Sequence, residues 1–184
     1  TETTESALLS HFPFFLGVCA LLDGDYESAE TIYEGILTDN LTGTFYTSTP
    51  INLAWIYLQT DRADEGIALV DDLLANYPYW SLDRHDTLAR RAQLQAELGN
   101  YESALADINS ALQTRPNDFN LHVVRGRINQ QFEQSDQALS DFTNAVTFNP
   151  NFAPAYYYRG ALYLTLGDSE KARTDFDTYL KIAP

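Results

Sequence analysis

An array of paired α-helices, all-α and without sheet, is the fold class this sequence predicts, and three observations predict it. A small residue recurs at Gly17, Ala54, Ala92, Gly126 and Gly160, and a second at Ala29, Gly66, Ala104, Ala138 and Ala172, each twelve positions after the first. Four residues further on stands a bulky apolar side chain, Tyr33, Val70, Ile108, Phe142 or Phe176. Eight beyond that comes a helix stop, Pro78, Pro116, Pro150 and Pro184, with Leu41 in the first copy. Successive copies are offset by 37, 38, 34 and 34 residues, so the chain repeats one supersecondary unit five times.

Taken in order, residues 1–9 are acidic and rich in Thr and Glu, and read as a linker. The array then occupies 10–184, with repeats at about 10–41, 47–80, 85–118, 119–152 and 153–184. The first two repeats open on Pro13 and Pro50, and proline is favoured in the first turn of a helix; Thr49 is the expected N-cap for the second. Gly24-Asp25, Gly99-Asn100 and Gly167-Asp168 supply turns between the two helices of copies one, three and five. In the fifth copy Tyr156, Gly160 and Tyr163 fall at i, i+4 and i+7 on the first helix, and Ala172, Phe176, Tyr179 and Leu180 follow on the second. The segments 42–46 and 79–84 are insertions that lengthen loops between repeats.

Charge narrows the range of partners. The formal charge is −15, and residues 1–80 hold thirteen Asp and Glu against a single Arg. Nucleic acids and anionic membranes need clustered Lys and Arg, so neither is expected to bind. No run approaches the ~18 consecutive apolar residues of a membrane span, so no membrane insertion is expected. The apolar stretch 12–22 follows a start without basic residues and reads as the first helix, not as a signal peptide. Cys19 is the only cysteine, and its apolar setting predicts a buried side chain. The chain contains no Met, which reads as a processed product or a segment of something longer.

Nothing in the motifs points to catalysis. His11, His85 and His122 stand near the starts of different repeats without metal-ligand spacing, and no cofactor signature is present. The acidic groups at Asp23, Asp25 and Glu27 and at Asp71 and Asp72 lack the length and glycine placement of a calcium loop. Asn40-Leu41-Thr42 is an N-glycosylation sequon in the loop after the first repeat. With the Thr/Ser run that follows it, Asn40 favours an extracellular or secreted location over a cytoplasmic one.

The order small, bulky, proline at a period of 34 resembles the tetratricopeptide (TPR) repeat, across about 175 residues and best in the fifth copy. That resemblance implies a right-handed solenoid whose concave groove, lined by the first helix of each pair, holds a protein or peptide; it implies binding without catalysis. Transferred copy by copy, the groove positions are Phe14 and Val18; Ile51, Asn52 and Trp55; Ala89, Arg90 and Gln93; Val123 and Arg127; and Tyr157, Tyr158 and Ala161. The pattern of the chaperone-binding carboxylate clamp is not matched, since its places hold Phe14, Val18, Asn52, Asp86 and Arg90.

Two functions follow as expectations. The first is an interaction scaffold that receives a peptide or partner helix in the groove. The second is a structural subunit that polymerises head to tail into an extracellular fibril. Its joint would be formed by Phe12, Phe15 and Leu16 at one end and Phe176, Tyr179 and Leu180 at the other, all expected to be exposed.

Overall fold

The computed structural model describes residues 13–38, 48–76 and 84–183. The described residues form ten helices and no strand: α1 (13–22), α2 (Tyr26–Thr38), α3 (Ser48–Gln59), α4 (Ala63–Asn76), α5 (Arg84–Glu97), α6 (Tyr101–Thr114), α7 (Phe119–Gln131), α8 (Ser135–Phe148), α9 (Ala153–Thr165) and α10 (Ser169–Ile182). They belong to two compact units, the first ending at Leu98 and the second beginning at Gly99. The linker 1–9, Phe12, His11, the Asn40 sequon and the loops 42–46 and 79–83 lie outside the described residues.

A left-handed residue separates the two helices of each pair. Gly24, Gly99 and Gly167 have φ of 75°, 78° and 84°, a region that glycine enters without steric cost. The same place is taken in the other two pairs by Asp61 at 56° and Glu133 at 61°. The next backbone N–H then reaches back to a carbonyl of the last helical turn, as from Asp25 to Ala20 at 2.9 Å, Arg62 to Tyr57 at 2.8 Å, Gln134 to Asn129 at 2.8 Å and Asp168 to Tyr163 at 2.9 Å. This satisfies carbonyls that helix ends leave bare. Carboxylates start the following helices: Asp25 accepts from the Ser28 N–H and Asp168 from the Lys171 N–H. Asp118 caps α7 in the same way, through the N–H groups of Asn120 and Leu121. Helix α3 begins at Ser48, so Thr49 is not the N-cap expected; it is fully buried inside the first turn.

In the first unit, α2 packs on α3, α3 on α4, and α4 on α5. Its core gathers Ala29, Tyr33, Ile36, Leu53, Ile56 and Tyr57, with a second cluster of Ala54, Ala63, Val70 and Leu94. A Cβ added at Gly17 would lie 2.7 Å from the Tyr33 ring, so the small residue is what admits the aromatic one. Cys19 is exposed, contrary to the sequence expectation. Gly17 is buried, and a residue two places on points about 200° around the helix from it.

In the second unit, α6 packs on α7, α7 on α8, α8 on α9, and α9 on α10. Its core holds Val123, Ala138, Phe142, Ala145, Ala155 and Leu162. Here Gly126 leaves room for Phe142, whose ring would be 2.6 Å from an added Cβ. Gly160 does the same for Phe176, with a ring carbon at 3.2 Å. A side chain as fully buried as Phe142 contributes roughly 1.5–3 kcal/mol.

Candidate functional site on helices α7 and α9

Neither α7 nor α9 contains an Asp or Glu, in a chain that carries 26 of them. Together the two helices hold Arg125, Arg127, Arg159 and His122. Three of these four are matched inside the unit. Arg125 donates from Nε and Nη2 to the Asp141 carboxylate at 2.7–3.1 Å, and from Nη1 to Asn109 at 2.7 Å. His122 places Nδ1 3.0 Å from Asp141 and Nε2 2.9 Å from the Pro116 carbonyl. Asn129 adds a bond to Asp141 at 3.0 Å and itself accepts from Tyr101 at 2.8 Å.

The pattern returns 34 residues later. Arg159 grips Asp175 through two bonds of 2.8 Å, its Nη1 reaches Thr143, and the Tyr156 hydroxyl donates to the Pro150 carbonyl at 3.1 Å. Asp141 and Asp175 are only 2% and 4% exposed, which a carboxylate tolerates when it is paired and hydrogen-bonded. Burial alone would raise the pKa of Asp141, but hydrogen bonds from His122 and Arg125 more than reverse this and hold it below the usual value. The hydrogen bond to Asp175 raises Arg159 further above its ordinary value.

Arg127 is the exception. It is exposed, its guanidinium carbon lies 5.2 Å from the centre of the Tyr158 ring, and no carboxylate pairs with it among the described residues. Tyr158 in turn stacks on the buried Phe142 at 5.9 Å and 20°, which fixes the platform beneath the guanidinium. Tyr157 is 47% exposed, with its ring 5.4 Å from Tyr158, 5.6 Å from Tyr179 and 6.2 Å from Phe176. Tyr157, Ala161 and Leu164 follow one another at i, i+4 and i+7, and Leu164 is 55% exposed.

The remaining sequence-derived positions are dispersed. Val123 is buried in the core and does not line a surface; its neighbour Val124 is half-buried. In the first unit Phe14 and Trp55 are half-buried and pack against the core, Phe14 against Tyr33 and Trp55 edge-on to Tyr26. Asn52 donates to the Tyr33 hydroxyl at 3.1 Å, while Val18 and Ile51 are half-buried. Arg90 donates to Gln93 at 2.7 Å on the same helix. Of the positions expected to form a fibril joint, Phe15, Leu16 and Leu180 are exposed, whereas Phe176 and Tyr179 are half-buried; Phe176 is held against α9 beside Gly160.

The sequence reading missed the Arg125–Asp141 and Arg159–Asp175 pairs. Their signal was available: Arg and Asp both recur at 34 residues, immediately before the small residue and the bulky residue that define the repeat.

A cleft of about 600 Å³ lies beside this region, lined in part by Thr143, Arg159, Tyr163, Asp168 and Lys171. Its cations are already matched, Arg159 with Asp175 and Lys171 with Asp168 at 2.7 Å. Among the described residues no group of three or more His, Cys, Asp or Glu could hold a metal ion, and no helix is long and apolar enough to cross a membrane.

Paired antiparallel helices repeated with this spacing define an all-α helical-repeat protein. Two family models, both described as tetratricopeptide repeat, match residues 51–119 and 142–174, together more than half of the chain. The chain belongs to the tetratricopeptide repeat family. Among solved structures it is similar to TTC0263, a thermophilic TPR protein of Thermus thermophilus, at 21% identity over 95% of this chain and 92% of that one, with a TM-score of 0.83. It is also similar to MamA from Desulfovibrio magneticus, at 13% identity over 94% of each chain and a TM-score of 0.63. At these identities the likeness is one of fold. No curated protein matches the sequence.

Proposed function

We propose that the protein is a non-catalytic interaction scaffold that receives a peptide or a partner helix on the face carrying α9. Its family generally binds proteins or peptides. The observation that carries the reading is the stripe Tyr157, Ala161 and Leu164, which leaves apolar surface in solvent along two turns of one helix. Tyrosine and leucine presented on a rigid helix suit an amphipathic or extended partner, and the ordering cost falls on the partner alone. Selection of a random 12-residue peptide display library on the full chain tests this. The expected result is a family of binders that Leu164→Glu abolishes; enrichment of no peptide, or binders indifferent to Leu164→Glu, overturns it.

Self-assembly is a second reading, favoured by Leu180 at 72% exposure and by Phe15 and Leu16 at 54% and 43%. It predicts a scattering mass that grows with concentration and returns to about 21 kDa in Leu180→Glu. An extracellular setting with a glycan at Asn40 accompanies this reading, and mass spectrometry of protein from its native source tests it.

A further inference from the structure

We infer that the α7–α9 face selects a peptide carrying a single side-chain carboxylate within an apolar segment, the carboxylate seated on Arg127 and the apolar side chains on Tyr157 and Leu164. The inference rests on the scaffold reading and specifies its ligand. Charge segregation is the first support. Every carboxylate of the second unit lies on α6, α8, α10 or a connecting turn, so the α7–α9 face has none of its own to satisfy an arginine. Arg125 and Arg159 are consumed by Asp141 and Asp175, and of the three arginines Arg127 alone has no carboxylate partner among the described residues.

Pre-organisation is the second support. The guanidinium rests on Tyr158, and Tyr158 rests on Phe142, which is fully buried. Such a platform restrains the fork of donors that matches a carboxylate in two parallel bonds. The third support limits the number of charges. The second unit carries ten carboxylates against seven bases and the chain as a whole −15, so an acidic tract would meet repulsion that one carboxylate beside apolar residues does not. The stripe from Tyr157 to Leu164 spans about 10 Å, room for two or three side chains of a bound segment.

The test uses C-terminally amidated peptides selected on the full chain, each synthesised beside a twin with its Asp or Glu changed to Asn or Gln. Binders lost in Leu164→Glu should each contain one carboxylate, and the amide twin should bind at least about tenfold more weakly, the loss typical of one charge-assisted contact. Arg127→Gln should weaken the acid form by the same factor and leave the twin unchanged, and Arg127→Lys should restore part of the difference. Far-UV circular dichroism of each variant, matching the unaltered chain, assigns the effect to the contact. Equal binding of acid and amide forms, or equal loss of both in Arg127→Gln, overturns the carboxylate subsite while the scaffold reading stands. Enrichment of no peptide at all overturns both.

Discussion

The two units pack the same helical frame but treat buried polarity in opposite ways. Among the described residues, the buried polar side chains of the first unit are the hydroxyls of Thr49 and Thr87; those of the second are Asp107, His122, Asn129, Asp141 and Asp175. The first unit is by far the more acidic by sequence, yet the pairs of Arg62 with Glu30 and Glu65, and of Arg91 with Asp71, lie partly or largely exposed. The second encloses Asp107, Asp141 and Asp175 and commits an arginine from α7 and one from α9 to the last two. The amount of charge therefore does not say where charge is structural. Arg125 and Arg159 are tied to a buried carboxylate, whereas Arg127 has none within reach among the described residues.

The largest effect expected from breaking this contrast is at Arg125. Arg125→Ala leaves Asp141 buried with a reduced set of donors and should cost about 3 kcal/mol. Arg62→Ala, which removes a pair on the surface of the first unit, should cost less than about 1 kcal/mol. Urea denaturation, with hydrogen exchange of the α8 amides to report the second unit, measures both.

The same network sets an acid limit. The folded pKa of Asp141 is depressed, so its contribution is present above the unfolded value of about 3.9 and is lost as pH falls through the folded value. Protection of the α8 amides should thus decline as pH falls below about 4, and Asp141→Asn should remove that part of the decline. A decline of equal steepness in the variant would show that the network does not set it.

Two glycines sharpen the comparison through packing. Gly126→Ala drives a methyl into the Phe142 ring and should destabilise by roughly 1–3 kcal/mol. Gly35→Ala, on an exposed helical position with nothing within 4 Å, should stabilise by about 0.5–1 kcal/mol. Thermal denaturation of the pair should give shifts of opposite sign.

The smallest effect concerns the turns. Glu133 holds a φ of 61° where three of the other four copies have glycine. Glu133→Gly should therefore raise stability by about 1 kcal/mol or less, since relief of the left-handed strain is partly offset by the chain entropy that glycine adds. A lowered denaturation midpoint would show that the side chain makes a compensating contact.

Much of the frame was legible because it rests on local rules. Gly17 with Tyr33 and Gly126 with Phe142 are pairings of small and large residues at fixed spacing, and helical periodicity brings them face to face. The left-handed turns were readable where glycine occupies them, but not at Asp61 and Glu133, where the rest of the motif imposes the conformation on a residue that does not advertise it. Surface assignments fared less well. Cys19 looked internal because its neighbours are apolar, yet exposure follows angular position around the helix; Val123 was assigned to the groove by transfer from the repeat family, and here it packs in the core with Ala138 and Phe142.

By itself the sequence determined the helical pairs, the turns that carry glycine and the family, since these depend on spacing along one chain and on conformational preferences of single residues. Only the tertiary structure decided which charges are spent. Arg125, Arg127 and Arg159 are chemically the same, and what distinguishes them is whether a carboxylate from the neighbouring helix lies within reach. That depends on the packing of α7 on α8 and of α9 on α10, and desolvation makes the difference count, because a buried carboxylate must take its arginine while an exposed arginine over an aromatic ring remains available.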